Sequence, residues 1–105
     1  MKPRLTDVGT IVATRQLEGH ENNNAQRVTV KIGSPFADSE DPTCWYCPYS
    51  IEWGNNRRVF YGAGVDSLQA LRIAISMIET ELATKFSHLS LTWMGSDDLG
   101  FSKEL

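Results

Sequence analysis

A chain of 105 residues, 41% hydrophobic and 22% charged, has the composition of one folded domain, which we expect to span residues 1–105. No apolar run reaches the roughly 20 residues that cross a bilayer, and no hydrophobic block follows the charged N-terminus, so we expect no membrane partner and predict a cytoplasmic protein. With a net charge of −3 and Arg57-Arg58 as the largest basic cluster, the chain is not expected to bind nucleic acid, because polyanion binding needs clustered cations.

The N-terminal third predicts two paired strands. β-branched residues are frequent from Asp7 to Leu17, and residues 28–32 alternate between apolar and polar side chains, which is typical of a strand with one face in water. We expect the two strands to pair across a loop from Glu18 to Ala25. The asparagines at 22–24 accept the left-handed conformations that turns require.

A second hairpin is predicted further along the chain. Side chains alternate from Trp45 to Trp53, Gly54-Asn55-Asn56 is a turn signal, and a returning strand follows from Arg57 to Tyr61. Pro48 has no N–H to donate to a ladder, so it should lie at an edge, at a bulge or outside the pairing.

A long amphipathic helix is predicted from Asp66 to Phe86. Asp66 can accept a hydrogen bond from the first turn, and Gln69 can reach back as in a capping box. Glu81 and Lys85 form a favourable pair four residues apart. The apolar positions recur at spacings of three and four and predict a core-facing stripe of Leu68, Leu71, Ala74, Ile75, Ile78, Leu82 and Phe86.

The element order predicts an α+β fold, with an antiparallel sheet of about four strands and one long amphipathic helix packed on one face. Residues 89–93 alternate in polarity, so they form either a short fifth strand or an extended tail on the sheet. The helix can cover only one side of the sheet, which leaves the other side for solvent or for a partner.

The cysteines and histidines do not form a recognisable catalytic or metal motif. Cys44 and Cys47 form a C-x-x-C pair, but Pro48 and a strand pattern follow where a helix N-terminus would activate the thiol. A tetrahedral zinc site needs four ligands, and His20 and His88 are far apart in the sequence. We therefore expect reduced thiols, no metal, no cofactor and no enzymatic activity.

The aromatic residues are concentrated in the second hairpin and indicate a binding surface. Tyr46 and Phe60 are expected on the sheet face away from the helix, where aromatic side chains commonly anchor an interface. The acidic run with Asp38, Glu40 and Asp41 could steer a basic partner, although such runs are more often simply solvated loops.

Three pieces of the sequence resemble one family of small, functionally uncharacterised bacterial proteins. They are the hairpin text Trp45-Tyr46-Cys47-Pro48-Tyr49, the helix start G-x-D-S-x-Q-A-L at 64–71, and the closing segment Leu91-Thr92-Trp93-Met94-Gly95 with Gly100-Phe101 close behind. Cys44 lies outside the matching text, and the resemblance implies no activity. More loosely, the element order is similar to that of antitoxins of the HicB kind, and small acidic α+β proteins without an active site include many immunity proteins.

The leading hypothesis is a non-enzymatic protein-binding module of the immunity or antitoxin kind, which covers a basic toxin domain with its open sheet face and acidic loop. Two alternatives remain open. One is a small ligand-binding or enzymatic domain that uses Cys44, Cys47 or His88. The other is a homodimeric module that pairs through an edge strand.

Overall fold

The computed structural model describes residues 4–101 and confirms the α+β architecture. Five antiparallel strands form one open sheet, and a single α-helix packs on it. Four strands follow each other as a meander, while the short β3 continues the line of β2 along the same side of β4. The elements are β1 (Ile11–Glu21), β2 (Asn24–Gly33), β3 (Phe36–Ala37), β4 (Trp45–Trp53), β5 (Asn56–Gly64), α1 (Ser67–Lys85) and a 3₁₀ turn (Ser87–Leu89).

The first hairpin is longer and tighter than predicted. The expected loop from Glu18 to Ala25 is wrong, because β1 and β2 continue to the pair Glu21 and Asn24. Only Asn22 and Asn23 form the turn, with φ of +52° and +67°. A two-residue turn with both φ angles positive matches the twist of the flanking strands, and asparagine tolerates that conformation better than most residues.

Pro48 lies inside the central strand, at a break in its pairing. The ladder between β2 and β4 ends at Ile32 and Tyr49, and pairing resumes only where Phe36 of β3 meets Tyr46. The missing N–H of Pro48 therefore lies where no neighbouring strand offers a carbonyl acceptor, in agreement with the prediction that Pro48 avoids the strand pairing. The Pro48 ring packs instead near Gly33, where an added Cβ would lie 2.9 Å from its Cγ.

Helix α1 begins as predicted. The Asp66 side chain accepts a hydrogen bond from the Gln69 N–H at 2.8 Å, and Gln69 reaches back to the N–H of Val65 at 2.7 Å. The glycines of β5 bring the helix very close to the sheet, since a Cβ at Gly62 would lie 2.7 Å from the carbonyl oxygen of Ala70. The buried face of α1 consists of Ala70, Ala74, Ile78, Glu81 and Leu82.

The predicted helix stripe is wrong at Leu68, which is 63% exposed. It also omits Glu81, which is only 7% exposed and lies 3.8 Å from Lys85 in the predicted pair. The true stripe is rotated toward small residues, because Ala70 and Ala74 are the side chains that fit against Gly62. Core contact at the first turn therefore depends on close approach rather than on leucine.

The segment after the helix folds back over β1 as a tail with one point of strand pairing. The backbone of Thr92 exchanges two hydrogen bonds with Glu18, at 2.8 and 2.9 Å, and a tight turn then joins Trp93 to Ser96. Of the two alternatives for residues 89–93, the extended tail is correct. The tail and α1 share one face of the sheet, the helix lying over β4 and β5.

The helix of the described region is not long and apolar enough to cross a membrane.

Candidate protein-binding surface

The acidic loop between β3 and β4 is held in one conformation by its own carboxylates. One oxygen of Asp38 accepts the N–H groups of Glu40 and Asp41, at 2.9 and 3.0 Å. Asp41 accepts both the N–H and the hydroxyl of Thr43. The two backbone hydrogen bonds to Asp38 keep the pKa of its carboxyl group below the ordinary value. The loop therefore presents an ordered negative charge.

Tyr46 joins this loop to the sheet. Its hydroxyl donates to the second oxygen of Asp38 at 3.2 Å, and its ring is only 6% exposed. Phe36, directly opposite on β3, packs against the Tyr46 ring with a centroid distance of 5.6 Å and remains 39% exposed. The structure thus brings Tyr46, Asp38 and the acidic loop together and adds Phe36. Phe36 is the side chain that the sequence analysis missed, because its strand has only two residues.

The aromatic contacts continue as a ladder across the sheet. Tyr46 meets Tyr61 edge to face at 5.2 Å, and Tyr61 meets Phe60 at 4.8 Å. We call the four rings Phe36, Tyr46, Tyr61 and Phe60 the aromatic ladder. Its two inner rings are buried and its two end rings are exposed.

Tyr46 and Phe60 do not share a face of the sheet, contrary to expectation. Phe60 is paired with Tyr49, a core residue beneath the helix, whereas Tyr46 lies three residues from Tyr49 and points the other way. The rings of Phe60 and Tyr61 meet at the outer edge of β5, where Phe60 is 41% exposed. Phe60 therefore belongs to the edge of the sheet, and Tyr46 belongs to the open face.

The middle of the open face is polar. Lys31 and Arg57 both approach the carboxylate of Glu52, at 3.2 and 3.7 Å, so two cations share one anion. The acidic loop lies at the opposite end of β4. Among residues 4–101, Asp38, Glu40 and Asp41 make no ion pair with a basic side chain. The carboxylate of Glu52 is therefore neutralised by two cations, whereas the carboxylates of the acidic loop are not paired with a basic side chain among residues 4–101.

A second charged cluster lies on the helix side and is built into the core. The carboxylate of Glu81 accepts hydrogen bonds from the Tyr49 hydroxyl and from Arg58, and Lys85 approaches it at 3.8 Å. Burial, together with the Glu81 carboxylate, raises the pKa of Tyr49. A phenol that holds its proton this strongly serves as a hydrogen-bond donor that links the sheet to the helix.

The residues of the enzymatic alternative are not assembled into one site. Cys47 is buried in β4, and burial raises the pKa of its thiol to about 11, which is the opposite of activation. His88 lies beyond the opposite end of the sheet, 4.0 Å from Glu21. Within residues 4–101 there is no group of three or more potential ligands placed to hold a metal ion.

A cleft of about 230 Å³ separates the tail from the helix on the covered face. Its floor is formed by Val30 and Ile32, and Ile75 and Phe101 form two of its walls. The Arg15 guanidinium at its edge already donates to the carbonyl oxygens of Leu99 and Gly100, both at 3.0 Å. The cleft is therefore mainly apolar, and the hydrogen bonds of its cation are directed to the tail.

The fold and surface define a small α+β domain with an open antiparallel sheet, one helix and a polar face that carries an aromatic and acidic patch at one end. The chain belongs to the family described as a domain of unknown function (DUF6968), whose model matches residues 13–103. This agrees with the expected membership of an uncharacterised family. No curated protein and no solved structure matches the chain.

Proposed function

We propose that this domain is a non-enzymatic protein-binding module that docks a basic partner on the patch formed by Phe36, Tyr46 and the acidic loop. The observation that carries the proposal is the placement of an exposed aromatic ring beside three carboxylates that have no basic side chain paired with them in the described structure. Aromatic side chains are enriched in protein interfaces, and charges of one sign steer the approach of an oppositely charged partner.

The rigidity of the patch supports this proposal. Asp38 and Asp41 are held by hydrogen bonds from the loop backbone, and Tyr46 is held by Asp38 and by its neighbouring rings. A surface that is already ordered loses little conformational entropy when a partner binds. Phe36, Glu40 and Asp41 are exposed, and Phe36 and Glu40 are the proposed points of contact.

The finer proposal is that the module acts as an immunity or antitoxin protein, which neutralises a toxin domain by covering it. It follows from small size, net negative charge and a binding patch of one sign. A basic toxin surface would be attracted to the acidic loop, and association would slow as salt screens that attraction.

The test is capture of a partner by the tagged protein from an extract of its source organism, followed by affinity measurement with the isolated partner. We expect one stoichiometric basic protein, toxic when expressed alone and tolerated when co-expressed with this domain. Phe36→Ala and Glu40→Lys should each weaken binding at least tenfold, equivalent to about 1.4 kcal/mol.

Matched controls separate the patch from general surface effects. Met94→Ala removes another exposed apolar side chain, and Asp97→Lys makes the same charge change as Glu40→Lys in the tail. Both should bind like the wild type. Equal affinity for wild type, Phe36→Ala and Glu40→Lys would contradict the proposal.

The cleft beneath Phe101 favours a second candidate function, the binding of a small apolar ligand. Its floor of Val30 and Ile32 suits an aliphatic or aromatic group. Ile75→Trp should fill the cleft and abolish the thermal stabilisation caused by such a ligand. Stabilisation that is equal in the wild type and in Ile75→Trp would exclude this site.

A further inference from the structure

We propose that two copies of this chain form a homodimer by pairing their β5 strands antiparallel, which extends the two sheets into one. The β5 edge adjoins the proposed patch through the contact of Tyr61 with Tyr46, but it contains neither Phe36 nor the acidic loop, so the dimer does not depend on the proposed partner. Four observations on β5 and the adjacent flank of α1 support it.

The first observation is a row of unused backbone groups on β5. The β4–β5 hairpin closes at Trp53 and Asn56 with a two-residue turn, so alternate residues of β5 turn their N–H and C=O away from β4. In the first hairpin, which also has a two-residue turn, the same alternation turns the N–H and C=O of Glu18 outward, and these two groups bind the backbone of Thr92. Within residues 4–101 no strand pairs with the outer edge of β5. The outward residues are Arg57, Val59, Tyr61 and Ala63.

The second observation is that this edge and the helix flank above it expose large apolar side chains, and that the charged residues Arg58, Glu81 and Lys85 beside them are paired with one another. Glu81 reaches Arg58 of β5, and residues 77 and 73 lie one and two turns earlier on the same side of the helix. Ile73 is an exposed large apolar residue, as is Phe60 on the strand below. Thr80 and Thr84 complete this flank, while the charged Arg72 and Glu79 lie on other sides of the helix.

The third observation is the space available for a second helix. Helix α1 crosses from β5, where Ala70 lies on Gly62, to β4, where Phe86 packs on Trp53. Because strands are about 4.8 Å apart, pairing two β5 strands would place the midpoints of the two helices about 10 Å apart. Packed helices prefer separations of about 8–10 Å. A second copy therefore covers the strand edge and the Ile73 flank together, whereas a single added peptide strand would cover only the edge.

The fourth observation is the distribution of charge along β5. If the twofold axis passes Phe60, then Val59 faces Tyr61 of the second copy and Arg57 faces Ala63 of the second copy. The two arginine pairs are then at opposite ends of the paired strands. Each arginine pair lies near the C-terminal end of the second copy's β5, which leads to the carboxylate of Asp66. Like charges are thus separated and opposite charges approach each other.

The first test is sedimentation equilibrium with substitutions on the helix flank. The wild type should have twice the 11.8 kDa mass of one chain at tens of micromolar concentration. Ile73→Glu should weaken the dimer at least tenfold, whereas Ser76→Glu, the same added charge on the outer side of the helix, should not. Circular dichroism checks that both variants fold. A monomeric wild type at several hundred micromolar, or an Ile73→Glu variant that dimerises normally, would overturn the proposal.

A cross-linking test identifies the strand. In a Cys44→Ser background, Phe60→Cys places two thiols across the twofold axis at a close, non-hydrogen-bonded pair, and mild oxidation with copper phenanthroline should join them. Val12→Cys, an exposed position on the opposite edge strand, is the control and should stay monomeric on a non-reducing gel. Cross-linking through Val12→Cys instead of Phe60→Cys would assign the interface to β1 and refute the β5 dimer.

Discussion

Tyr49 donates its phenolic hydrogen to the carboxylate of Glu81 across the interface between sheet and helix. Tyr49 is completely buried, so its hydroxyl depends on this acceptor. We expect Glu81→Ala to lower the free energy of unfolding by about 2–3 kcal/mol, because a buried donor is left without a partner. Glu81→Gln, which retains an acceptor, should cost clearly less. Urea denaturation measures both, with Glu79→Ala as the control. A loss below 0.5 kcal/mol for Glu81→Ala would show that the cluster does not stabilise the fold.

Close contact at Gly62 predicts a strong response to one added methyl group. A Cβ there would lie 2.7 Å from the Ala70 carbonyl oxygen and would push the helix away from β5. Gly62→Ala should therefore cost about 3 kcal/mol or more, at the upper end of overpacking effects. Ala63→Ser, at the next and exposed position of β5, should remain within about 0.5 kcal/mol of the wild type. Thermal unfolding compares the two, and equal stability would mean that the helix moves without cost.

Arg15 fastens the tail to β1. Its guanidinium lies 3.8 Å from the ring centroid of Trp93 and donates to the Leu99 and Gly100 carbonyls. A lysine side chain has no planar guanidinium that can stack on the Trp93 ring while donating to two carbonyl oxygens. Arg15→Lys should therefore destabilise the tail by about 1–2 kcal/mol. Hydrogen exchange should speed up at residues 92–101 and not in the helix. Arg27→Lys on β2 provides the control, and unchanged exchange in Arg15→Lys would dismiss the assigned role.

The two thiols should differ sharply in reactivity. Cys44 is partly exposed, whereas burial raises the pKa of Cys47 to about 11. At pH 8 an aromatic disulfide reagent should modify Cys44 quickly and Cys47 only after unfolding. Above pH 9 the unfolded chain loses the Cys47 proton first, so the free energy of unfolding should fall as the pH rises from about 9 to about 11. This fall should begin at a higher pH in Cys47→Ala, where only groups such as Tyr49, whose pKa is raised from its ordinary value of 10.0, still contribute. Rapid modification of both thiols would support the redox alternative.

The acidic loop predicts an acid-sensitive contribution to stability. Hydrogen bonds from the Glu40 and Asp41 backbone lower the pKa of Asp38 below 3.8. The charged carboxylate therefore stabilises the folded state above the unfolded pKa, and this contribution is lost as the pH falls from about 3.8 through the folded pKa. Carboxyl chemical shifts report the titration directly. In Asp38→Asn the stability difference from wild type should shrink at low pH, and a constant difference would contradict this assignment.

Local patterns in the sequence were sufficient for the helix, its cap and the second hairpin. The length of the first hairpin was missed because Asn22-Asn23 is a weaker signal than Asn-Gly, and both faces near the turn are polar. The predicted buried face of the helix wrongly included Leu68 and omitted Glu81. The orientation of the helix is set by the contact of Ala70 with Gly62, which depends on the tertiary packing of two small residues. Hydrophobicity counts do not detect that preference for close approach.

The candidate surface was predictable only in part. The sequence singled out the acidic loop and Tyr46 without placing them next to each other, and the position of Phe36 depends on the pairing of a two-residue strand. Successive side chains of a strand point to opposite faces, so the placement of Tyr46 and Phe60 on different faces follows once the register of β4 and β5 is known. The register itself required the Gly54 turn to close at Trp53 and Asn56.

The tail has a consequence for the order in which the chain assembles. Both hairpins join neighbouring residues, and the helix follows β5 directly, so most of the sheet can form from contacts that are close in sequence. Arg15 and Leu99, in contrast, are 84 residues apart. Closing so long a loop is slow and entropically costly, and it gains few contacts until the sheet exists. During synthesis, β1 would therefore keep a free edge until residues 92–101 emerge.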